Sequence, residues 1–201
     1  MRVISGKARG TQLVSLSGAT IRPTLDRVRE SFFNQIANEV AGARFLDLFA
    51  GSGAVGIEAL SRGAGNVVFV ELHHAPQTII YKNLKKCKFF NPGELRTPKN
   101  WILLKSNAWH ALEVLQKKQA RFDWVYVDPP FADDLYEETL LKLSASQLLQ
   151  ESATVVVEHF RKTGLQETYG KLSQIKTRRL GDTCLTFYEW RQGPAGETIG
   201  K

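Results

Sequence analysis

The chain has 201 residues, of which 43% are hydrophobic and 23% charged, and its formal net charge is +7. At ~150 residues per domain this length predicts one α/β domain with a short appendage, and the apolar share excludes general disorder. No apolar run approaches the ~20 residues that cross a bilayer, and the opening MRVISGKARG lacks the apolar stretch of a secretory signal, so the sequence reads as cytoplasmic, with no membrane partner.

At the amino terminus, apolar stretches at 3–4 and 11–16 flank Gly6 and Gly10, which supply turn geometry. This predicts a hairpin extension over 1–23 with a basic tip carrying Lys7 and Arg9. A helix should begin near Thr24, whose hydroxyl can cap it after Pro23, because Val28, Phe32, Phe33, Ile36 and Val40 recur at helical spacing. From Arg44 onward, strands expected at 45–49, 67–71, 101–105, 122–127 and 154–158 alternate with helices at 54–62, 76–86, 108–118 and 134–144. Strands this apolar on both faces, separated by helices, predict an α/β fold with a parallel sheet covered on both sides. Segments 172–180 and 183–190 flank Gly181 and Asp182 and read as an antiparallel hairpin, which completes a mostly parallel seven-stranded sheet. Residues 89–100 read as a surface insertion and 192–201 as a flexible tail, which leaves 24–191 as the main domain.

The positive charge is clustered. Arg2, Lys7, Arg9, Arg22, Arg27 and Arg29 meet only Asp26 and Glu30; Lys82, Lys85, Lys86, Lys88, Arg96, Lys99 and Lys105 meet only Glu94; Lys171, Lys176, Arg178 and Arg179 form a third group. Each cluster alone is an ordinary solvated face, but the three together point to a nucleic-acid partner. Cys87 and Cys184 lie far apart without metal-ligand spacing and read as ordinary thiols, neither bridged nor bound to metal.

The sharpest local pattern is DLFAGSGAVG, from Asp47 to Gly56, where a strand should pass into a helix. Gly51, Gly53 and Gly56 match GxGxxG, and Glu71 follows at the distance of a ribose-binding acid, which admits a dinucleotide enzyme. Asp47 argues for something else, because a carboxylate there would oppose a pyrophosphate already served by the helix N-terminus. It suits a ligand with an ammonium group and no phosphate, such as S-adenosylmethionine. A buried Asp that only caps the turn is the alternative.

The second pattern is Asp128, Pro129, Pro130 and Phe131, directly after the strand at 122–127. A carboxylate at the carboxyl end of a strand beside a switch point lies where α/β sheets bind ligands. The prolines remove two backbone donors and hold the chain extended. Asp128 and the Pro129 carbonyl can then accept two hydrogen bonds from an exocyclic amino group, while the Phe131 ring stacks on a base. A turn that merely contains two prolines is the alternative here.

DLFAGSG at 47–53 and DPPF at 128–131 resemble the first and fourth motifs of amino-group S-adenosylmethionine methyltransferases. RPTLDRVRE at 22–30, followed by Phe33 and Asn34, and EALSRGA at 58–64 resemble the RsmD-like family, and the resemblance runs from ISGKARG to the closing hairpin. It implies a Rossmann-like class I methyltransferase that acts on the exocyclic N2 of a guanine in small-subunit (16S) ribosomal RNA, free or in an assembling subunit. A monomer without metal is expected.

The same resemblance implies that Asp47, Gly51 and Gly53, with Phe49 and Ser52 of that loop, cradle the methionine part of the cofactor. Glu71, with Leu72 beside it, takes the ribose hydroxyls, and Asn107 and Ala108 lie at the adenine. Asn107 stands where many relatives carry Asp, and His73 stands where they often carry a second acid. His73, His74 and His110 form no ligand constellation and read as non-catalytic. Asp128, Pro129, Pro130 and Phe131 are the expected catalytic set. Lys7, Arg9, Arg22, Thr24, Arg27 and Arg29 are expected to meet RNA phosphates or close over the cofactor, with internal salt bridges as the alternative for the arginines. Three other readings stay open: a DNA or RNA adenine N6 methyltransferase, a nicotinamide-dependent oxidoreductase, and a non-catalytic RNA-binding module.

Overall fold

The computed structural model describes residues 1–15, 23–90, 100–130 and 133–191. Arg22, Phe131, the insertion at 91–99 and the tail at 192–201 lie outside the described residues, as does the side chain of Thr24. In chain order the elements are α1 (Pro23–Gln35), β1 (Arg44–Asp47), α2 (Ala54–Ser61), β2 (Asn66–Val70), α3 (His74–Lys86), β3 (Trp101–Leu104) and α4 (Ala108–Lys117). They continue with β4 (Phe122–Val127), α5 (Asp133–Ala145), β5 (Leu149–Phe160), β6 (Thr168–Tyr169), β7 (Leu172–Leu180) and β8 (Thr183–Trp190).

The strands form one sheet in the order β3-β2-β1-β4-β5-β8-β7-β6. The first five run parallel, and β8, β7 and β6 are antiparallel additions. Because successive strand side chains point to opposite faces, each strand feeds two cores. Phe45 and Tyr126 pack with Phe32 and Phe33 of α1, Ile57 of α2 and Ile80 of α3. Leu46, Val125 and Val127 pack with Leu112 and Leu115 of α4 and Leu140 and Leu143 of α5. The fold is therefore the expected three-layer α/β sandwich with its terminal hairpin.

Several element ends lie one or two residues from the sequence reading, and three differences go further. α1 stops at Gln35, and Val40, although buried, is reached through a turn in which the amides of Glu39 and Val40 donate to the Ile36 carbonyl. β5 runs for 12 residues because it is paired on both sides, with β4 and with β8. β6 is an eighth strand of 2 residues, too short to show a period. Cys87 and Cys184 are both free and buried. No helix among the described residues is long and apolar enough to cross a membrane.

The amino-terminal segment turns back on itself through a single antiparallel bridge, Arg2 to Gln12, in place of two extended strands. Several of its backbone groups are held by α2. The Ile4 and Ser5 amides donate to the Glu58 carboxylate at 2.8 and 3.0 Å, and the Ala8 amide donates to Ser61 Oγ at 2.9 Å. The segment buries Val3, Ala8 and Leu13 in the α1–α3 core, and Lys7 and Arg9 remain exposed at its turn. Gly6 makes this approach possible: at φ +81, a Cβ there would lie 1.9 Å from the Ser61 carbonyl oxygen. Gly6→Ala should therefore cost about 3 kcal/mol, combining left-handed strain with an overlap against backbone that cannot move aside. A chemical-denaturation midpoint unchanged from the parent would contradict that packing.

Candidate active site

The chain leaves β1 toward β2 and β3 in one direction and leaves β4 toward β5 in the other, so the strand order reverses between β1 and β4. Loops diverging from the carboxyl ends of those strands open a crevice at such a point. A cleft of about 490 Å³ lies there, within the range of small-molecule sites. Leu48, Phe49 and Gly51 follow β1 into its wall, and Glu71, Leu72, His73 and Pro76 follow β2. Ser106, Asn107, Ala108 and Trp109 bring in the start of α4, and Asp128, Pro129, Pro130 and Leu135 close the side beyond β4.

The glycines have separate tasks. Gly51 and Gly53 take φ values of +53° and +76°, the left-handed conformation that folds the β1–α2 loop back. A Cβ on Gly51 would meet no protein atom within 4 Å, so the space above it is left open to a ligand. A Cβ on Gly56 would come 2.3 Å from Phe69 Cε1; this glycine lets α2 lie against the sheet. Glu71 ties the loop to the next strand, its Oε2 accepting from the Gly51 amide at 2.9 Å and its Oε1 from the His73 amide at 2.7 Å. Each oxygen keeps acceptor capacity toward the cleft. Asn107 caps α4, its Oδ1 accepting from the His110 amide at 2.8 Å.

Asp47 does not line the cleft. It is buried beneath the loop, where its Oδ2 accepts from the Gly56 amide at 2.9 Å. Burial pushes its carboxyl up to about 7, the Gly56 amide pulls the other way, and the nearby Glu71 raises it further. Asp128 is exposed to the cleft; the protein packed beneath it, and then Glu158 and Asp47 close by, raise its carboxyl above the usual carboxylate range.

Residues 1–189 match a family described as "Conserved hypothetical protein 95". The chain belongs to this family. It is the RsmD-like methyltransferase family that the motifs resemble. The chain is 36% identical to YlbH of Bacillus subtilis over 95% of its own length and 100% of that protein. It is 35% identical to ribosomal RNA small subunit methyltransferase D of Escherichia coli K12, over 94% of this chain and 89% of that one. The solved structure of YhhF from Escherichia coli superposes with a TM-score of 0.78 at 32% identity, covering 96% of this chain and 99% of the other. The fold is that of the S-adenosylmethionine-dependent methyltransferases. The cleft has room for that cofactor, with open space over Gly51 for a close backbone approach and the Glu71 carboxylate in its wall.

In this RsmD-like methyltransferase the cleft gathers Phe49, Gly51, Glu71, Leu72, Asn107, Ala108, Asp128, Pro129 and Pro130 from the expected site residues. Ser52 and Gly53 shape the loop without lining the cleft. Arg27 is exposed on α1, whereas Arg29 is only 4% exposed. Its guanidinium donates to the Arg2 carbonyl and to Asp26 Oδ1 and lies 3.8 Å from Glu58. Arg29 therefore has no surface to offer a phosphate; its role in this fold is the internal ion pair.

Two residues outside the sequence-derived set also shape the site. Asn83 of α3 is fully buried; its Oδ1 accepts from the Val14 amide at 2.7 Å, and its Nδ2 donates to the carbonyls of Val14 and Ser52 at 3.0 Å each. One amide thus joins the amino-terminal segment to the glycine loop. Glu158 of β5 lies close to Asp128, and its Oε2 accepts from the Tyr126 hydroxyl at 2.6 Å. An isolated Asn in a helix and a lone Glu in a strand carry no spacing signal. The lining residue His73 contributes its backbone amide to Glu71. Among the described residues no group of three or more His, Cys, Asp or Glu side chains could hold a metal ion.

Proposed function

We propose that the chain transfers a methyl group from S-adenosylmethionine to the exocyclic N2 of a guanine in small-subunit ribosomal RNA. The observation that carries this reading is the position of Asp128, Pro129 and Pro130, which close the β4 side of a cleft whose far walls hold the glycine loop and Glu71. The 35% identity to a ribosomal RNA small subunit methyltransferase, over 94% of this chain, supports the choice of RNA.

When bound, the cofactor supplies an electrophilic methyl group on a sulfonium, so the chain's task is chiefly to align an amine and exclude water. Asp128 and the Pro129 carbonyl accept the two N2 protons, drawing the nitrogen toward tetrahedral geometry and freeing its lone pair for attack. As the N–C bond forms and the S–C bond breaks, positive charge develops on N2, and Asp128 stabilises it and takes the surplus proton. Pro130 keeps the segment extended, and Phe131 stacks on the flipped base at an unpairing cost of a few kcal/mol. Phe49, Gly51, Ser52 and Gly53 hold the methionine end. Glu71 and Leu72 receive the ribose, and Asn107 and Ala108 flank the adenine. Lys7, Arg9, Arg22, Thr24 and Arg27 contact the RNA backbone.

Glu71→Ala should weaken S-adenosylmethionine binding about 100-fold, the equivalent of losing charge-assisted bonds to a ribose. Isothermal calorimetry that found the parent affinity would remove Glu71 from the cofactor site. The function itself is tested by mass spectrometry of ribosomal RNA from cells lacking this protein. The expected result is the loss of a single N2-methylguanosine from the small-subunit RNA. Loss of N6-methyladenosine would favour the adenine reading, and an unchanged set of marks would overturn both.

A further inference from the structure

Glu158 stands one strand beyond Asp128. β4 and β5 are parallel, and Val127 pairs with Val157, so the next residues along the two strands, Asp128 and Glu158, emerge side by side. Two residues earlier, Tyr126 and Val156 share the α1–α3 core face, and strand alternation sends Asp128 and Glu158 out on that same face. Adjacent strands lie about 4.8 Å apart, which brings the two carboxyl groups within reach of one planar ring. The cofactor cleft is walled by residues that follow β1, β2, β3 and β4. A base whose amino group points from Asp128 toward that cleft therefore extends its ring the other way, over the end of β5.

We propose that Glu158 accepts the N1–H of the target base and so selects guanine over adenine, an inference that rests on the guanine-N2 reading above. Guanine presents N1–H beside its N2 amino group, two neighbouring donors. Adenine presents N1 as an acceptor beside its N6 amino group. An ionised carboxylate only accepts. The Tyr126 hydroxyl, donating to Oε2 at 2.6 Å, fixes the Glu158 carboxyl and leaves Oε1 uncommitted by that bond. Burial raises the Glu158 carboxyl, and the Tyr126 bond and the positive Arg29 only moderate that rise, so the accepting form that the proposal requires is the one populated as pH increases. Burial first, then Glu158 itself, with Asp128 of the β4 end and Asp47 of β1 adding to it, raise Tyr126 well above its ordinary value, so the hydroxyl keeps its proton and remains a donor. Glu158 is half-buried and retains surface for a ligand. An adenine in this position would set its N1 lone pair against the carboxylate, and a polar site rejects a base that leaves it unpaired far more strongly than an apolar pocket rejects a poor fit.

The test uses small subunits reconstituted around RNA that carries either guanosine or 2-aminopurine riboside at the mapped target position. 2-Aminopurine keeps the amino group at C2 but has an unprotonated N1. The parent enzyme should prefer guanosine in kcat/KM by at least about 100-fold. Glu158→Gln, whose amide can turn a donor toward an N1 lone pair, should reduce that preference at least about tenfold and raise the rate on 2-aminopurine. Glu158→Ala should slow guanosine and, by removing the carboxylate that opposes an N1 lone pair, leave 2-aminopurine no slower than with the parent. Calorimetry with S-adenosylmethionine and the melting temperature report whether each variant is folded. A preference unchanged in both variants overturns the proposal, whether or not their rates fall, because a purely structural Glu158 would scale the two substrates alike. Failure of the parent to methylate guanosine at all would instead overturn the function on which the proposal rests.

Discussion

Asp128→Ala should lower methyl transfer about 10³-fold while leaving the affinity for S-adenosylmethionine within about twofold of the parent. The asymmetry follows from the geometry, since Asp128 lies on the β4 side of the cleft, whereas the glycine loop and Glu71 form the walls across from it. The stabilisation it offers grows as N2 acquires positive charge, so the loss belongs to kcat more than to binding. Asp128→Asn should fall between the two, because an amide oxygen still accepts one hydrogen bond. The protein packed beneath Asp128, then Glu158 and Asp47, raise its carboxyl although it is exposed to the cleft, so at lower pH a larger share of the enzyme carries the neutral, weakly accepting form. Activity should therefore climb as pH rises through that ionisation, and the Asn variant should lose this component of the slope. Single-turnover rates across pH check both statements; an Ala variant as fast as the parent would mean that another group receives the charge.

Much of this arrangement is legible in the chain because it is carried by patterns of neighbours. Phe122–Val127 is an apolar run whose end is marked by Asp128 and two prolines, and the strand closes where the sequence indicates. The Gly181–Asp182 turn likewise marks the hairpin of β7 and β8 with the expected bounds. What eluded the sequence depends on contacts between distant residues. Glu58 and Ser61 within EALSRGA look like ordinary helix residues, yet they hold the amides of Ile4, Ser5 and Ala8 more than 50 positions away. Arg29 belongs to a basic cluster by composition, but α1 turns it inward toward Asp26 and Glu58. The count of charges could not separate it from exposed Arg27. Glu158 gains its meaning only when β5 settles beside β4 in a particular register, and a parallel register is fixed by the sheet as a whole.

Asp47 shows the same dependence on depth, and its replacement by Asn should stabilise the protein at alkaline pH while weakening cofactor binding. The carboxyl is buried beneath the glycine loop, which pushes it up from its ordinary 3.8 to about 7. A carboxyl whose folded pKa is raised favours the native state below its unfolded pKa, and that contribution is lost as pH rises through the folded value. The loss therefore spreads between about pH 4 and pH 7 and is complete above it, amounting to at most about 4 kcal/mol from a shift of this size. Asn keeps an oxygen for the Gly56 amide and cannot ionise, so Asp47→Asn should match the parent near pH 4 and exceed its melting temperature by several degrees at pH 8. Equal melting temperatures at pH 8 would show that the buried charge is compensated. Under the proposed function, the negative charge beneath the loop would favour a cationic ligand above it and so offset that cost. Removing that charge should weaken S-adenosylmethionine about tenfold, with a smaller effect on S-adenosylhomocysteine, which lacks the sulfonium charge. Stability and affinity moving in opposite directions would identify Asp47 as a residue retained for the ligand at the expense of the fold.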